Sequence, residues 1–184
     1  MVACKLTWPF PIQTRLPTCP SYAELIRNRA FQGSRVHPST IEPWAAVGHA
    51  ALALDTASPL SAALPTSLSV TAEGDGVVGI KNPGWWGISV RASNTYAGSF
   101  YSSGAYGGNF SALLVSDTSG ETLASTEITS RSTSGSWTQH SFELVPASDA
   151  ANINNSFVLQ YGAVSGETLR FNLVSLFPPT YNNR

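Results

Sequence analysis

The sequence predicts an all-β protein, an antiparallel β-sandwich of the jelly-roll type with one short helix before it. From Glu42 onward, apolar and polar residues alternate in about ten short segments, spaced by roughly ten residues. The breaks between these segments are rich in Gly, Ser, Asn and Asp, which are turn residues, and no helical pattern separates them. Many short strands without intervening helices favour two packed antiparallel sheets over a parallel α/β sheet.

The strand pattern covers most of the chain after its first quarter. The predicted strands are 44–55, 66–72, 76–82, 84–92, 95–104, 109–117, 122–130, 136–145, 155–163 and 168–177. The alanines of the first segment would also suit a helix. One face of the last segment carries Leu169, Phe171, Leu173 and Phe177, which alternation assigns to the core.

The segment 84–92 contains two adjacent tryptophans, Trp85 and Trp86. Neighbouring side chains on a strand point to opposite faces, so one ring is expected inside and the other outside. Trp86 shares its face with Ile88 and Val90. Alternation therefore predicts that Trp86 lies in the core and that Trp85 faces outward.

The N-terminal part of the chain predicts one helix, over 21–31. Ser21 is a suitable N-cap, and Glu24 three residues later completes a capping box. Residues 1–21 contain prolines that interrupt their only apolar run, so they make a poor signal peptide and are expected to be disordered. Cys4 and Cys19, the only cysteines, could close a loop in an exported protein, and the sequence leaves their pairing open.

Composition excludes several classes of function. Only 11% of the 184 residues are charged and the net charge is −1, so neither nucleic acid nor an anionic membrane is an expected partner. No apolar run approaches the ~18 residues of a membrane-spanning helix. The three histidines are scattered singly and no phosphate-binding or nucleophile motif occurs, so no metal and no cofactor are expected.

Five stretches resemble one family. They read YAELIRNRAFQG (22–33), NPGWWGISVRA (82–92), GAYGGNFSALLVSD (104–117), TSRSTSGSWTQHSFEL (129–144) and FNLVSLFPPTYNNR (171–184). In this order they closely resemble the fungal α-L-arabinofuranosidases of glycoside hydrolase family 51, over nearly nine tenths of the chain.

The resemblance implies a domain organisation. Residues 41–177 resemble a carbohydrate-binding-module-like jelly roll that is inserted near the start of a catalytic (β/α)8 barrel. Residues 22–40 resemble an early piece of that barrel, and 178–184 resemble a truncated return to it. In the family a barrel strand and a Gly-rich turn come before the stretch that residues 22–33 resemble. Residues 1–21 of this chain occupy that place and do not resemble them. The resemblance also implies an extracellular protein that acts on arabinose-containing plant cell-wall polysaccharides, arabinoxylan and arabinan.

The two catalytic glutamates of the family have no counterpart in this chain. A retaining glycosidase needs two carboxylates about 5–5.5 Å apart, whereas most of the eleven acidic residues here fall in predicted turns or on solvent faces. We therefore expect the isolated chain to have no hydrolase activity and no catalytic residue.

Sugar binding is the remaining function that the residues support. Exposed aromatic rings stack on sugar rings, and amide or charged groups bind their hydroxyls. The candidate residues are Trp85, Arg91, Tyr101, Tyr106 and Trp137. For each of them packing is the alternative. For Trp137 the alternative is a position that covers the end of the core, and for Trp85 it is packing inside the domain or against a catalytic barrel.

Three functional hypotheses stay open at this stage. The chain is an accessory carbohydrate-binding-like domain whose partner is a polysaccharide or a catalytic barrel, a stand-alone lectin-like module, or an inactive fragment of a truncated gene. Asn109 and Asn154 each begin an Asn-x-Ser triplet and are N-glycosylation sites if the chain is exported.

Overall fold

The computed structural model describes residues 24–34 and 36–179. These residues form ten strands: β1 (Ala45–Val47), β2 (Ala50–Asp55), β3 (Ser67–Ala72), β4 (Gly76–Asn82), β5 (Tyr96–Ser103), β6 (Asn109–Ser116), β7 (Thr122–Thr129), β8 (Thr138–Leu144), β9 (Asn155–Ala163) and β10 (Thr168–Phe177). They build two five-stranded sheets, in the orders β1-β4-β9-β6-β7 and β2-β3-β10-β5-β8. Every strand pair is antiparallel. The predicted antiparallel sandwich is confirmed, and the predicted segment 44–55 is divided between the two sheets.

The core lies between the sheets and is rich in aromatic residues. Phe100 of β5 contacts Phe110 of β6 edge to face at 5.1 Å and Phe171 of β10 at 6.0 Å, and all three are fully buried. The His140 ring stacks on Phe100 at 4.9 Å. Burying such a phenylalanine stabilises the fold by ~1.5–3 kcal/mol, so this cluster is a major source of its stability. No described segment is a helix of the length and apolar character needed to cross a membrane.

The helix predicted over 21–31 is not formed by the part of it that the structure describes. Residues 24–26 are irregular and 27–30 form a turn, while 21–23 lie outside the described residues. Asn28 and Phe31 have φ values of 55° and 60°, which belong to the left-handed region and cannot continue an α-helix. The capping-box pattern was a misleading signal here, because tertiary contacts of the segment override its local preference.

Residues 24–31 instead lie along the second half of β10. The Leu25 N–H donates to the Leu176 carbonyl at 2.9 Å, and the Val174 N–H donates to the Arg29 carbonyl at 3.0 Å. Phe31 at the end of this segment is fully buried in the same core as the strands. The segment therefore provides backbone partners for a strand and apolar surface for the core.

The prediction that 84–92 is a strand with Trp86 in the core is wrong. Residues 84–86 form a turn and 87–91 are irregular, so strict alternation does not apply. Trp86 is 85% exposed, whereas Ile88 and Val90 are buried as expected. Pro83 and Gly84 start the turn, and their turn chemistry outweighs the strand pattern.

The predicted core face of 168–177 is correct only in its first half. The pairing of β10 with β5 shifts register between Asn172 and Ser175, and Leu173 has a φ of 46°. This bulge turns the strand, so that Val174 and Leu176 point inward. Leu173 and Phe177, which alternation assigned to the core, are only half-buried.

Candidate functional site

Two exposed tryptophans lie on the turn that follows β4. Trp86 is 85% exposed and Trp85 52%, and their ring centroids are 6.3 Å apart with an angle of 40° between the ring planes. The guanidinium carbon of Arg27 lies 6.0 Å from the centroid of the Trp85 ring, which is within cation–π range. Contiguous exposed apolar patches often mark interaction or ligand-binding sites, so this pair of adjacent indoles is a candidate binding surface.

Buried contacts hold this turn at both ends. The Asn82 side chain, fully buried, donates to the Arg27 carbonyl at 2.9 Å and accepts the Gly84 N–H at 2.9 Å. Gly87 has a φ of 87°, and a Cβ at this position would lie 2.1 Å from the Ile153 carbonyl oxygen. Only glycine fits such a position, so the two indoles are presented by a fixed backbone.

A groove of about 550 Å³ runs between the tryptophans and the segment 24–32. Its lining residues are Glu24, Ile26, Asn28, Arg29, Ala30, Phe31, Gln32, Trp85 and Trp86. The carboxylate of Glu24 pairs with Arg29 at 3.2 Å and also accepts the Leu176 N–H at 3.0 Å. The groove thus combines indole surface with a few fixed polar groups, which suits either sugar rings or a packed protein segment.

The other candidate residues are not brought to this groove. Tyr101 on β5 donates its hydroxyl to Gln139 of β8 at 3.1 Å, across the outward face of the second sheet. The half-buried Trp137 donates its indole N–H to the Pro59 carbonyl at 3.0 Å. This bond to the β2–β3 loop favours the packing interpretation of Trp137.

Arg91 lies in an exposed ion pair with Asp149, 2.9 Å apart. The Ala92 N–H and the Arg91 guanidinium both donate to this carboxylate, and they hold the pKa of Asp149 below its ordinary value. The guanidinium of Arg91 is thus engaged with a carboxylate of its own domain.

Tyr106 is located at the opposite end of β4 from the two tryptophans. It lies beside Gly76, the first residue of β4, whereas the tryptophan turn follows Asn82, the last. Its hydroxyl donates to the Asn109 carbonyl at 2.9 Å, and burial raises the pKa of this hydroxyl. The sequence-predicted sugar-binding residues are therefore spread over separate surfaces.

Both glycosylation triplets are at the surface. The side chains of Asn109, the first residue of β6, and Asn154, just before β9, are exposed. Within the described residues, no group of three or more His, Cys, Asp or Glu is arranged to hold a metal ion. Cys4 and Cys19 lie outside the described residues.

Sequence reasoning missed Trp86 as an exposed ring and missed the groove beside it. The signals that identify the turn were present, since Pro83 and Gly84 precede the tryptophans and Gly87 follows them. No signal in the sequence pointed to the contact of the segment 24–32 with this turn, because it joins parts of the chain more than fifty residues apart.

Comparison with solved structures defines the class of fold. The xylan-binding domain of Paenibacillus barcinonensis Xyn10C superposes with a TM-score of 0.55 at 12% identity, over 76% of this chain and 87% of that domain. The described domain is therefore a carbohydrate-binding-module-like jelly-roll sandwich. No protein-family model matches the sequence.

The particular relatives are arabinofuranosidases. The α-L-arabinofuranosidase A of Aspergillus niger is 34% identical over 167 residues, which cover 89% of this chain and 26% of the relative. A glycoside hydrolase family 51 α-L-arabinofuranosidase, solved with bound arabinose, superposes with a TM-score of 0.79 at 36% identity, over 89% of this chain and 27% of that one. The resemblance stated from the motifs is confirmed, and the chain spans about a quarter of the length of these relatives. The sandwich is thus similar to one part of these arabinofuranosidases, and it has a carbohydrate-binding-module-like fold.

Proposed function

We propose that this domain binds arabinose-containing plant cell-wall polysaccharides, arabinoxylan or arabinan, through the exposed Trp85 and Trp86 pair. The observation that carries the proposal is the exposure of two adjacent indoles on a turn that is fixed at both ends. Indole faces are apolar and bind the C–H faces of sugar rings, and a rigid platform limits the entropy lost on binding. The similarity to arabinofuranosidases and to a xylan-binding domain supports the choice of polysaccharide.

The proposal includes an extracellular setting. The similarity to fungal glycosidases and the surface positions of Asn109 and Asn154 support this part of the proposal. It also keeps the domain organisation expected from the motifs, with a jelly roll over 41–177 and pieces of a catalytic barrel on either side. In such a protein the sandwich brings the catalytic part to its substrate.

A second candidate function is docking to the catalytic part of a longer protein. The matched residues make up only 26% of the Aspergillus niger relative, so most of that protein has no counterpart in the sandwich. The groove between Trp86 and the segment 24–32 would be one contact surface, because these residues present indole and aliphatic groups beside each other. In this case the tryptophans would be covered by protein and not by sugar.

Calorimetric titration of the full chain with soluble arabinoxylan and with linear arabinan tests the first proposal. We expect binding to at least one of them, and about tenfold weaker binding for Trp86→Ala, equivalent to ~1.4 kcal/mol. Val145→Ala, which removes an exposed side chain outside the groove, is the matched control and should bind as the parent does. No binding to either polymer, or binding that Trp86→Ala leaves intact, would overturn the proposal.

Binding of a hydrophobic dye distinguishes the docking function from polysaccharide binding. A docking surface that lacks its partner should bind the dye without polysaccharide affinity, and Trp86→Ala should reduce the dye signal while Val145→Ala should not. A stand-alone lectin-like module would instead keep high polysaccharide affinity with little dye binding. An inactive fragment would show dye binding that neither substitution changes.

A further inference from the structure

A second groove, of about 400 Å³, lies at the end of the sandwich opposite the two tryptophans. Its lining residues are Gly76, Ala105, Tyr106, Gly107, Gly108, Gly162, Ala163, Val164 and Glu167. Gly76 and Asn82 are the two ends of β4, and a strand of this length spans about 20 Å, so the two grooves are separate sites.

Gly162 of β9 is the least expected residue in this groove. It lies inside a strand, pairs in regular register with Val77, and does not have a positive φ that would require glycine. A Cβ built on it meets nothing within 4 Å, and the same holds for Gly107. Glycine weakens a strand, and where no local reason exists it often marks the close approach of a ligand or of another backbone.

The approach to Gly162 is from the face of the sheet. Its strand, β9, is paired on both sides, with β4 and with β6, so no peptide can add to it as a further strand. The occupant therefore lies flat against the glycine surface. A ring fits this description better than an extended peptide.

Tyr106 forms an aromatic wall of the groove, and its position is fixed. Its ring contacts Phe110 at 5.0 Å and Tyr161 edge to face at 5.3 Å. Its hydroxyl is held by the Asn109 carbonyl, which leaves the ring half-buried and in a single orientation. Such a ring is an apolar surface that a ligand can contact without ordering it first.

Charge narrows the class of ligand further. The lining includes one carboxylate, Glu167, and no lysine or arginine. One carboxylate oxygen of Glu167 accepts the Val164 N–H at 2.9 Å, which fixes the group as an acceptor at the edge of the groove. An anionic ligand is disfavoured here, whereas a neutral ligand with hydroxyl donors is matched.

We propose that the groove between Tyr106, Gly107 and Gly162 is a second saccharide subsite, which takes one uncharged sugar ring lying on the glycine surface. This inference rests on the proposed polysaccharide-binding function and extends it to two separate contacts on one polymer. Two weak contacts on one polymer give higher total affinity than either of them alone.

Amide NMR of the full ¹⁵N-labelled chain, titrated with an arabinose-substituted xylo-oligosaccharide, reports on both grooves in one experiment. We expect shifts of the amides of Gly107, Gly108 and Gly162, independent of shifts of the Trp85 and Trp86 indole N–H groups. Shifts at the indoles alone would overturn the second subsite and keep the proposed function. Shifts at the glycines alone would keep the subsite and overturn the role of the tryptophans, and no shift at all would overturn both.

Gly162→Val gives the decisive variant. The β-branched side chain favours a strand, so the urea midpoint should stay the same or rise. Affinity at the glycine reporters that remain, Gly107 and Gly108, should fall at least about tenfold. Affinity at the indole reporters should not change. Ser125→Val, at an exposed position of β7 outside the groove, is the matched control and should leave both affinities unchanged. Unchanged affinity of Gly162→Val at the glycine reporters would overturn the inference.

Discussion

Replacing Trp86 by alanine separates the turn seen in the structure from the strand that the sequence pattern suggests. Trp86 is 85% exposed, so only about one seventh of its surface is buried. A tryptophan has up to ~250 Å² to bury, and at ~25 cal/mol per Å² the loss is about 0.9 kcal/mol in the free energy of unfolding. A tryptophan in the core would instead cost ~3–5 kcal/mol on the same substitution.

Urea unfolding followed by far-UV circular dichroism measures this difference. The reference variant is Ile88→Ala, two residues along the chain, which removes a fully buried side chain and should cost ~2–5 kcal/mol. We expect a small shift of the midpoint for Trp86→Ala and a large one for Ile88→Ala. If Trp86→Ala lost 3 kcal/mol or more, the assignment of 84–86 as an exposed turn would be refuted.

Three further predictions concern the framework and the chemistry. Asn82→Ala leaves the Gly84 N–H and the Arg27 carbonyl without partners, so it should lower the free energy of unfolding by ~2–4 kcal/mol and weaken polysaccharide binding, measured by urea unfolding and titration. Burial lowers the pKa of the His140 imidazole in the folded state, so folding favours the neutral ring. The stability that the neutral ring contributes is full above about pH 6.5, the ordinary pKa of histidine, and is lost as the pH falls through the lowered pKa. His140→Gln should remove that part of the pH dependence in melting curves, and an unchanged slope would contradict it. The purified chain should release no arabinose from p-nitrophenyl arabinofuranoside, and measurable release would contradict the expected absence of catalytic carboxylates.

Much of the fold was predictable because alternation and turn residues agree along most of the chain. In 136–145, His140, Phe142 and Leu144 are buried while Gln139 and Glu143 are exposed, as the pattern indicates. These residues lie in β8, which pairs with β5 in an unbroken register. In such a strand the local alternation of apolar and polar residues determines which face of the sheet each side chain occupies.

Prediction failed where the backbone leaves regular geometry. The bulge at Leu173 changes the face of every later residue in β10, and no residue type marks it in advance. The turn at Trp86 was marked by Pro83 and Gly84, but the strong β propensity of the residues around it pointed the other way. At the candidate site the missing information was long-range, because Asn82 is anchored by Arg27, 55 residues earlier.

The residues before β1 determine where a fusion of this domain to another protein can begin. Ile26 and Phe31 fill the interior. The Leu25 N–H, the Arg29 carbonyl and the Glu24 carboxylate pair with backbone groups in the second half of β10. A transferred domain that began at residue 41 would have a cavity in its core where the Ile26 and Phe31 side chains were. It would also have unpaired backbone groups on β10, which favour aggregation. A segment of this chain that is fused to another enzyme should therefore begin no later than Glu24. The linker to that enzyme should precede Glu24.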